Sequence, residues 1–189
     1  MMIAFPNKVL VIADYENFHF EEKITSPIDF VLSCGDIQFQ ILQEIYDLYR
    51  KPIFAVKGNH DTTHPFPKFV TDVHFKMVQC QNWWIGGWQG VPIYKGSGPY
   101  EWDDLNAAAQ LQNFPPVDIF ISHAPIHKYT DKADYAHQGS HAILQYIQEK
   151  QPKYVYHGHV HSEMGAMIGN TAVVSVFGAK VFSLESTAP

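Results

Sequence analysis

The chain has 189 residues, 46% of them apolar, and a formal charge of -6. That suffices for one well-buried domain over 1–189 and hardly for two; the acidic balance, with no basic stripe, excludes a constitutive nucleic-acid binder, whose affinity comes from clustered Lys and Arg. Cys34 and Cys80 are the only cysteines, and their lack of metal or redox spacing predicts free thiols in a reducing compartment, with the cytoplasm as the expected address.

Val9 to Ala13 is too short for a signal-peptide core or a membrane span and is followed by Asp14 and Glu16, so Lys8–Ala13 reads as a buried first strand and no membrane partner is expected. Phe30–Ser33 and Ile53–Val56 are similar apolar runs, consistent with interior strands. Between them Ile41, Leu42, Ile45, Leu48 and Tyr49 recur at helical spacing until Pro52, which predicts a crossover helix from about Gln38 to Tyr49 and a right-handed parallel unit. Val73–Val78 and Trp83–Trp88 are expected to pair as strands. Trp102–Asn113 reads as a helix with acids in its first turn, stopped by Pro115-Pro116. A second alternation follows: strand Asp118–Ser122, helix Ser140–Lys150 with Ile143, Leu144 and Ile147 on one face, and strand Tyr154–His157. Met164–Ile168, Thr171–Val176 and Lys180–Leu184 are expected to close the chain as an antiparallel meander, with Gly169-Asn170 at one turn.

The polar residues cluster at the ends of these apolar runs. In order they are Asp14, Gly35-Asp36, Gly58-Asn59-His60-Asp61, Ser122-His123 and His157-Gly158-His159-Val160-His161. Carboxylates, one amide and imidazoles delivered from several strand ends to one sheet edge are what a cage for two divalent cations requires. The sequence therefore proposes a metal-assisted hydrolase.

These residues, in this order, resemble the calcineurin-like metallophosphoesterases, and the short chain looks most like their compact bacterial and archaeal phosphodiesterases. Five ordered elements coinciding with strand ends make a specific signal, although each alone is weak. The resemblance implies an α/β fold in four layers, an α-β-β-α sandwich of two mixed sheets, with the metals at the C-terminal strand edges. It implies that Asp36 bridges two divalent cations, that Asp14 and His161 bind one, and that Asn59, His123 and His159 bind the other. A hydroxide bridging the cations is the implied nucleophile. His60 is the implied general acid, with Asp61 orienting its ring.

The chain departs from the family pattern at Glu16, which stands where the family has His. A carboxylate there still ligates in principle, and its hard oxygen favours Mn²⁺, Mg²⁺ or Fe; manganese is the expected metal, with iron, zinc, nickel or magnesium as alternatives. His19 is a less suitable substitute, because a local turn would be needed to point it back. The expected partner is a small phosphate-ester substrate; the alternative is a catalytically weak or inactive scaffold that uses the fold to bind proteins.

Several other residues admit two readings. His157 alternates with His159 and His161, yet the resemblance gives it no ligand role, so packing behind the site is expected. His137 either reaches substrate phosphate or is a loop residue beside the capping Ser140. Trp83, Trp84 and Trp88 offer a stacking platform or fill the space between the sheets, and core filling is the expectation. The segment Gly96-Ser97-Gly98 lacks the pattern of a phosphate loop, and no Gly-x-Ser-x-Gly nucleophile elbow is present.

Overall fold

The computed structural model describes residues 6–15, 27–96 and 98–185. The first sheet has the order β13-β1-β2-β3-β4, from β1 (Asn7–Ala13), β2 (Phe30–Ser33), β3 (Ile53–Ala55), β4 (Val70–Asp72) and β13 (Gly178–Leu184). The strands β1 to β4 run parallel and β13 lies antiparallel to β1. The second sheet has the order β11-β12-β10-β9-β6-β5, from β5 (Met77–Cys80), β6 (Trp83–Trp88), β9 (Ile119–Ser122), β10 (Tyr154–His157), β11 (Met164–Ile168) and β12 (Thr171–Ser175). Its four central strands are parallel, with antiparallel β5 and β11 at the edges. A short ribbon pairs β7 (Val91–Pro92) with β8 (Glu101–Trp102).

Three apolar clusters weld these elements into the expected four layers. Val9 and Val11 on β1 and Phe30 and Leu32 on β2 face Trp83, Ile85, Ile119 and Ile121 between the sheets. The alternate residues Leu10, Ile12 and Val31 face outward onto Ile41, Leu42 and Ile45 of α1 (Phe39–Tyr49). On the far side Phe120 meets Ala107 and Leu111 of α2 (Asp104–Leu111) and Ile143, Tyr146 and Ile147 of α3 (His141–Lys150). Central strands buried on both faces explain why these segments read as continuous apolar runs in the sequence. The helix starts are capped: Asp103 accepts from Asn106 N–H, and Ser140 accepts from Ile143 N–H. Among the described residues no helix is long and apolar enough to cross a membrane.

Three expectations are corrected. Val73–Val78 is not one strand, because Val73 N–H still donates to Ala55 O in the first sheet while Phe75 N–H donates to Gly87 O in the second; the chain changes sheets there, and only Met77–Cys80 pairs with β6. The C-terminal meander also splits. After the β11–β12 hairpin, Gly178 at φ +82° turns the chain out of the second sheet, and β13 becomes the edge partner of β1. Trp102 lies in β8, so the helix begins at Asp104. The tryptophans are divided: Trp83 fills the space between the sheets, Trp88 packs in the outer layer, and Trp84 is exposed. Cys34 and Cys80 are both unbridged.

Gly86-Gly87 in β6 leaves no room for a side chain on either face of the second sheet. A Cβ at Gly87 would stand 2.4 Å from Ile121 O and 2.9 Å from Val56 Cγ1, and one at Gly86 would stand 2.7 Å from the Phe114 ring. Gly87→Ala should therefore overpack the space between the sheets and cost about 1–3 kcal/mol, read as a lower urea midpoint at unchanged slope; an unchanged midpoint would show that the sheets separate without penalty.

Candidate metal centre

The parallel strands of both sheets release their C-terminal ends at one edge, and the polar motifs emerge there. Asp14 follows β1, Asp36 follows β2, Asn59 and His60 follow β3, His123 follows β9, and His159 and His161 follow β10. Asp14, Asp36, His159 and His161 all have positive φ, at 51°, 55°, 71° and 48°. A non-glycine residue pays roughly 1–2 kcal/mol for that conformation, so a set of them at one edge is strain maintained by the surroundings. Part of the restraint is visible: Asp14 N–H donates to Gly35 O at 3.2 Å, and His159 N–H donates to Asp14 Oδ2 at 2.7 Å.

Asp14, Asp36 and His123 each offer a ligand atom, all within 4.8 Å of one another. The Nε2 atom of His123 faces Asn59 Oδ1 at 3.0 Å, Asp36 Oδ2 at 3.2 Å and Asp14 Oδ1 at 3.9 Å. His161 Nε2 lies 3.4 Å from the same Asp14 oxygen, although its side chain is largely exposed. Two glycines permit this crowding: a Cβ at Gly58 would meet Asp36 Oδ1 at 2.1 Å, and one at Gly158 would meet Asp14 Oδ2 at 2.6 Å.

The imidazoles are oriented from behind. His123 Nδ1 donates to Cys34 O at 2.8 Å, and His159 Nε2 donates to Ala136 O at 2.7 Å. A carbonyl only accepts, so neutral His159 keeps its lone pair on Nδ1, and His123 would free its lone pair on Nε2 when it loses a proton, the arrangement that metal-ligating histidines use. Asn59 is oriented as well, because its Nδ2 donates to Tyr94 OH at 3.0 Å while its Oδ1 points to His123. The sequence reading missed Tyr94; it lies in no motif, and only the loop after β7 brings it to Asn59.

Asp61 serves differently from the expectation that it orients the His60 ring. Its carboxylate accepts from the backbone N–H groups of Asp36 at 2.9 Å, Ile37 at 3.1 Å and Gly58 at 2.7 Å. It therefore ties the Gly35-Asp36 loop to the Gly58-Asn59 loop. His60 N–H donates to Asp36 Oδ1 at 2.8 Å while its side chain is exposed at a groove lined also by Asp14, Asp36 and Asp61. Glu16 and His19 lie outside the described residues. His157 is fully buried behind the edge, its Nε2 2.7 Å from Thr130 Oγ1. His137 is held by Asp134 Oδ1 at 2.7 Å, and its ring centroid lies 5.0 Å from that of His159.

The charges reveal what the edge requires. Burial alone disfavours an imidazolium at His123, yet the Asp36 and Asp14 carboxylates outweigh it and push the group up to about 9. Burial likewise opposes ionisation of Asp36, and His123 overcomes it, bringing that carboxyl down to about 2. Burial dominates at Asp14, whose carboxyl is raised despite His123. At His159 burial, reinforced by His123, lowers the ring to about 3 and keeps it neutral. Among the described residues Asp14 Oδ1 is a buried oxygen that accepts no hydrogen bond. Carboxylate oxygens and an amide oxygen facing the His123 nitrogen, with one carboxylate oxygen left unsatisfied, fit hard or borderline divalent cations once that nitrogen gives up its proton.

A family model described as calcineurin-like phosphoesterase matches residues 8–163. No curated protein sequence matches the chain. Among solved structures, phosphopantetheinyl hydrolase from Mycobacterium tuberculosis shares 14% identity at a TM-score of 0.60, covering 93% of this chain and 91% of its own. The protein TT1561 of Thermus thermophilus shares 15% identity at a TM-score of 0.58, covering 95% of this chain and 100% of its own. Plasmodium GAP50, the anchor in the inner membrane complex, shares 11% identity at a TM-score of 0.52, covering 91% of this chain and 71% of its own. At these identities the likeness is one of fold.

Two outcomes follow from the centre. A cation entering beside His123 must displace the proton held there up to about 9, so Mn²⁺ affinity should rise about tenfold per pH unit between pH 7 and 8, with about one proton released. Calorimetry in buffers of different ionisation enthalpy measures both quantities, and pH-independent binding would show that the ring is not protonated beforehand. Tyr94→Phe removes the acceptor that orients Asn59; Mn²⁺ affinity should fall about tenfold or more with the thermal midpoint nearly unchanged, whereas native affinity would mean that Asn59 needs no orientation.

Proposed function

Because the chain belongs to the calcineurin-like phosphoesterase family, we propose that it is a divalent-metal-dependent phosphoesterase, and more specifically a phosphodiesterase of small-molecule substrates with His60 as general acid. The observation that carries this reading is the convergence of Asp14, Asp36 and His123 within 4.8 Å, with a buried Asp14 oxygen unsatisfied. In this reading Asp14 and His161 would hold one cation and Asn59, His123 and His159 the other, with Asp36 shared between the two. Cations held there supply Lewis acidity, lowering the pKa of water and neutralising charge that develops on the phosphoryl group.

The chain's own residues supply the remainder. Asp61 holds the Asp36 and Asn59 loops in register through three backbone N–H groups, so the donors are placed before substrate arrives. His60 is exposed at the groove while its backbone N–H is anchored on Asp36, which suits a group that gives a proton to the leaving oxygen without holding metal.

Turnover of a generic aryl phosphodiester with Mn²⁺, Mg²⁺, Ni²⁺, Zn²⁺ and Fe²⁺, alongside elemental analysis, tests the proposal. Bound metal with no turnover of this or a monoester would make the chain a metal-binding scaffold on this fold. In an active protein, His60→Ala should lose on the order of 10² to 10⁴ in turnover while metal content is retained. Loss of the cations, or full activity, would remove His60 from the role of acid.

A further inference from the structure

We infer, building on the phosphoesterase reading, that the substrate is a phosphate ester whose organic group is flat and apolar, seated against Phe177 beside His161. The groove that includes Asp14 and Asp36 encloses about 960 Å³, the scale of a whole small molecule rather than of a phosphate alone. Besides Asp14, Asp36, Asp61, His60 and His161, its lining includes Tyr15, Phe39 and Phe177, and among the described residues no Lys or Arg lines it. Lys57 lies 4.2 Å from the centroid of Phe39, but it is buried and donates to Thr62 O and His64 O. Lys95 sits at Tyr94, outside that lining. A substrate with a chain of phosphates would bring further negative charge next to three acids in a groove that, among the described residues, no cationic side chain lines. One phosphoryl group on an apolar remainder matches the walls.

Phe177 carries the assignment. It is 45% exposed although Val176 and Gly178 on either side are buried. Its ring stacks on His161, with centroids 5.3 Å apart and planes 27° apart. Tyr15 lines the same groove and packs against the next residue, since a Cβ on Gly178 would stand 3.4 Å from the Tyr15 ring. Filling the core does not require a phenyl group at such a position. Stacked on a residue of the metal centre and lining the groove, it forms a flat apolar wall at the place where the organic part of an ester would leave the phosphoryl group.

Phenylphosphonate and methylphosphonate separate this inference from turnover, because neither is hydrolysed. Titrated by calorimetry into manganese-loaded protein, the phenyl compound should bind on the order of tenfold more tightly. Phe177→Ala and Phe177→Leu should abolish the difference and Phe177→Trp should keep it, with Mn²⁺ affinity unchanged in all three. Equal affinities in the native protein, or failure of phenylphosphonate to bind, would overturn the inference. So would a loss in Phe177→Ala and Phe177→Leu that tracks weakened Mn²⁺ binding, because Phe177 would then merely brace His161. A protein that discriminates the phosphonates yet hydrolyses no ester would keep the aromatic subsite and lose the phosphoesterase reading. Hydrolysis without discrimination would do the reverse.

Discussion

Two carboxylates, Asp14 and Asp36, flank one fully buried imidazole, His123, and the rest of the strand edge is arranged to maintain that crowding. Buried acids this close repel each other, and each would be more stable in water. Asp14 is where the conflict is concentrated: its Oδ2 is satisfied by His159 N–H, its Oδ1 accepts no hydrogen bond, and burial raises its carboxyl. Without a metal, the His123 proton is what offsets the two acids. That proton occupies the place where a divalent cation would do the same with more charge, which links fold to chemistry at one atom, His123 Nε2.

The burial that makes this arrangement costly is also what makes it rigid. Both sheets present parallel strands whose inner faces share one apolar cluster, so their C-terminal ends have little freedom to separate. Asp61 then joins two of the loops by three backbone hydrogen bonds, and Gly58 and Gly158 let Asp36 and Asp14 approach closer than any Cβ would permit. Carbonyls at Cys34 and Ala136 hold Nδ1 of His123 and Nε2 of His159, which leaves the other nitrogen of each ring as its ligand atom. Backbone groups perform this orientation, so little side-chain freedom has to be lost when a cation enters.

Most of this fold was legible because the interior strands are buried on both faces and therefore announce themselves as short apolar runs; Val9–Ala13, Phe30–Ser33 and Ile119–Ser122 are of this kind. The site residues were legible because they stand directly after those runs. What the pattern did not contain was direction in space. The switch between sheets at Val73–Lys76 and the departure of β13 depend on which backbone groups find partners, and apolar spacing is the same whichever sheet receives the strand. Tyr94 and the true partners of Asp61 were invisible for a related reason, since both act through loops brought together only by the finished fold. The left-handed backbone of Asp14, Asp36, His159 and His161 was equally hidden, because such φ values usually advertise themselves as Gly or Asn and here the chemistry required acids and imidazoles.

Among the described residues, local rules and global fold conflict together at one edge, where four non-glycine residues take positive φ, two acids crowd one imidazole and a buried carboxylate oxygen accepts no hydrogen bond; Arg50, Phe75, Gln81, Lys128 and Gln151 take positive φ elsewhere. Such disagreement persists only if the surroundings outweigh it or function requires it. The surroundings here are two apolar clusters on the faces of the first sheet and a third on the outer face of the second, far larger than the strained edge. The positive φ of Arg50 and Gln151 is that of a helix C-cap, an ordinary place for it, whereas at the strand edge four such residues gather around one crowded pair of acids. A packing compromise would be relieved wherever relief is least costly; a set of violations that share one centre is the imprint of a ligand that the centre is shaped to hold.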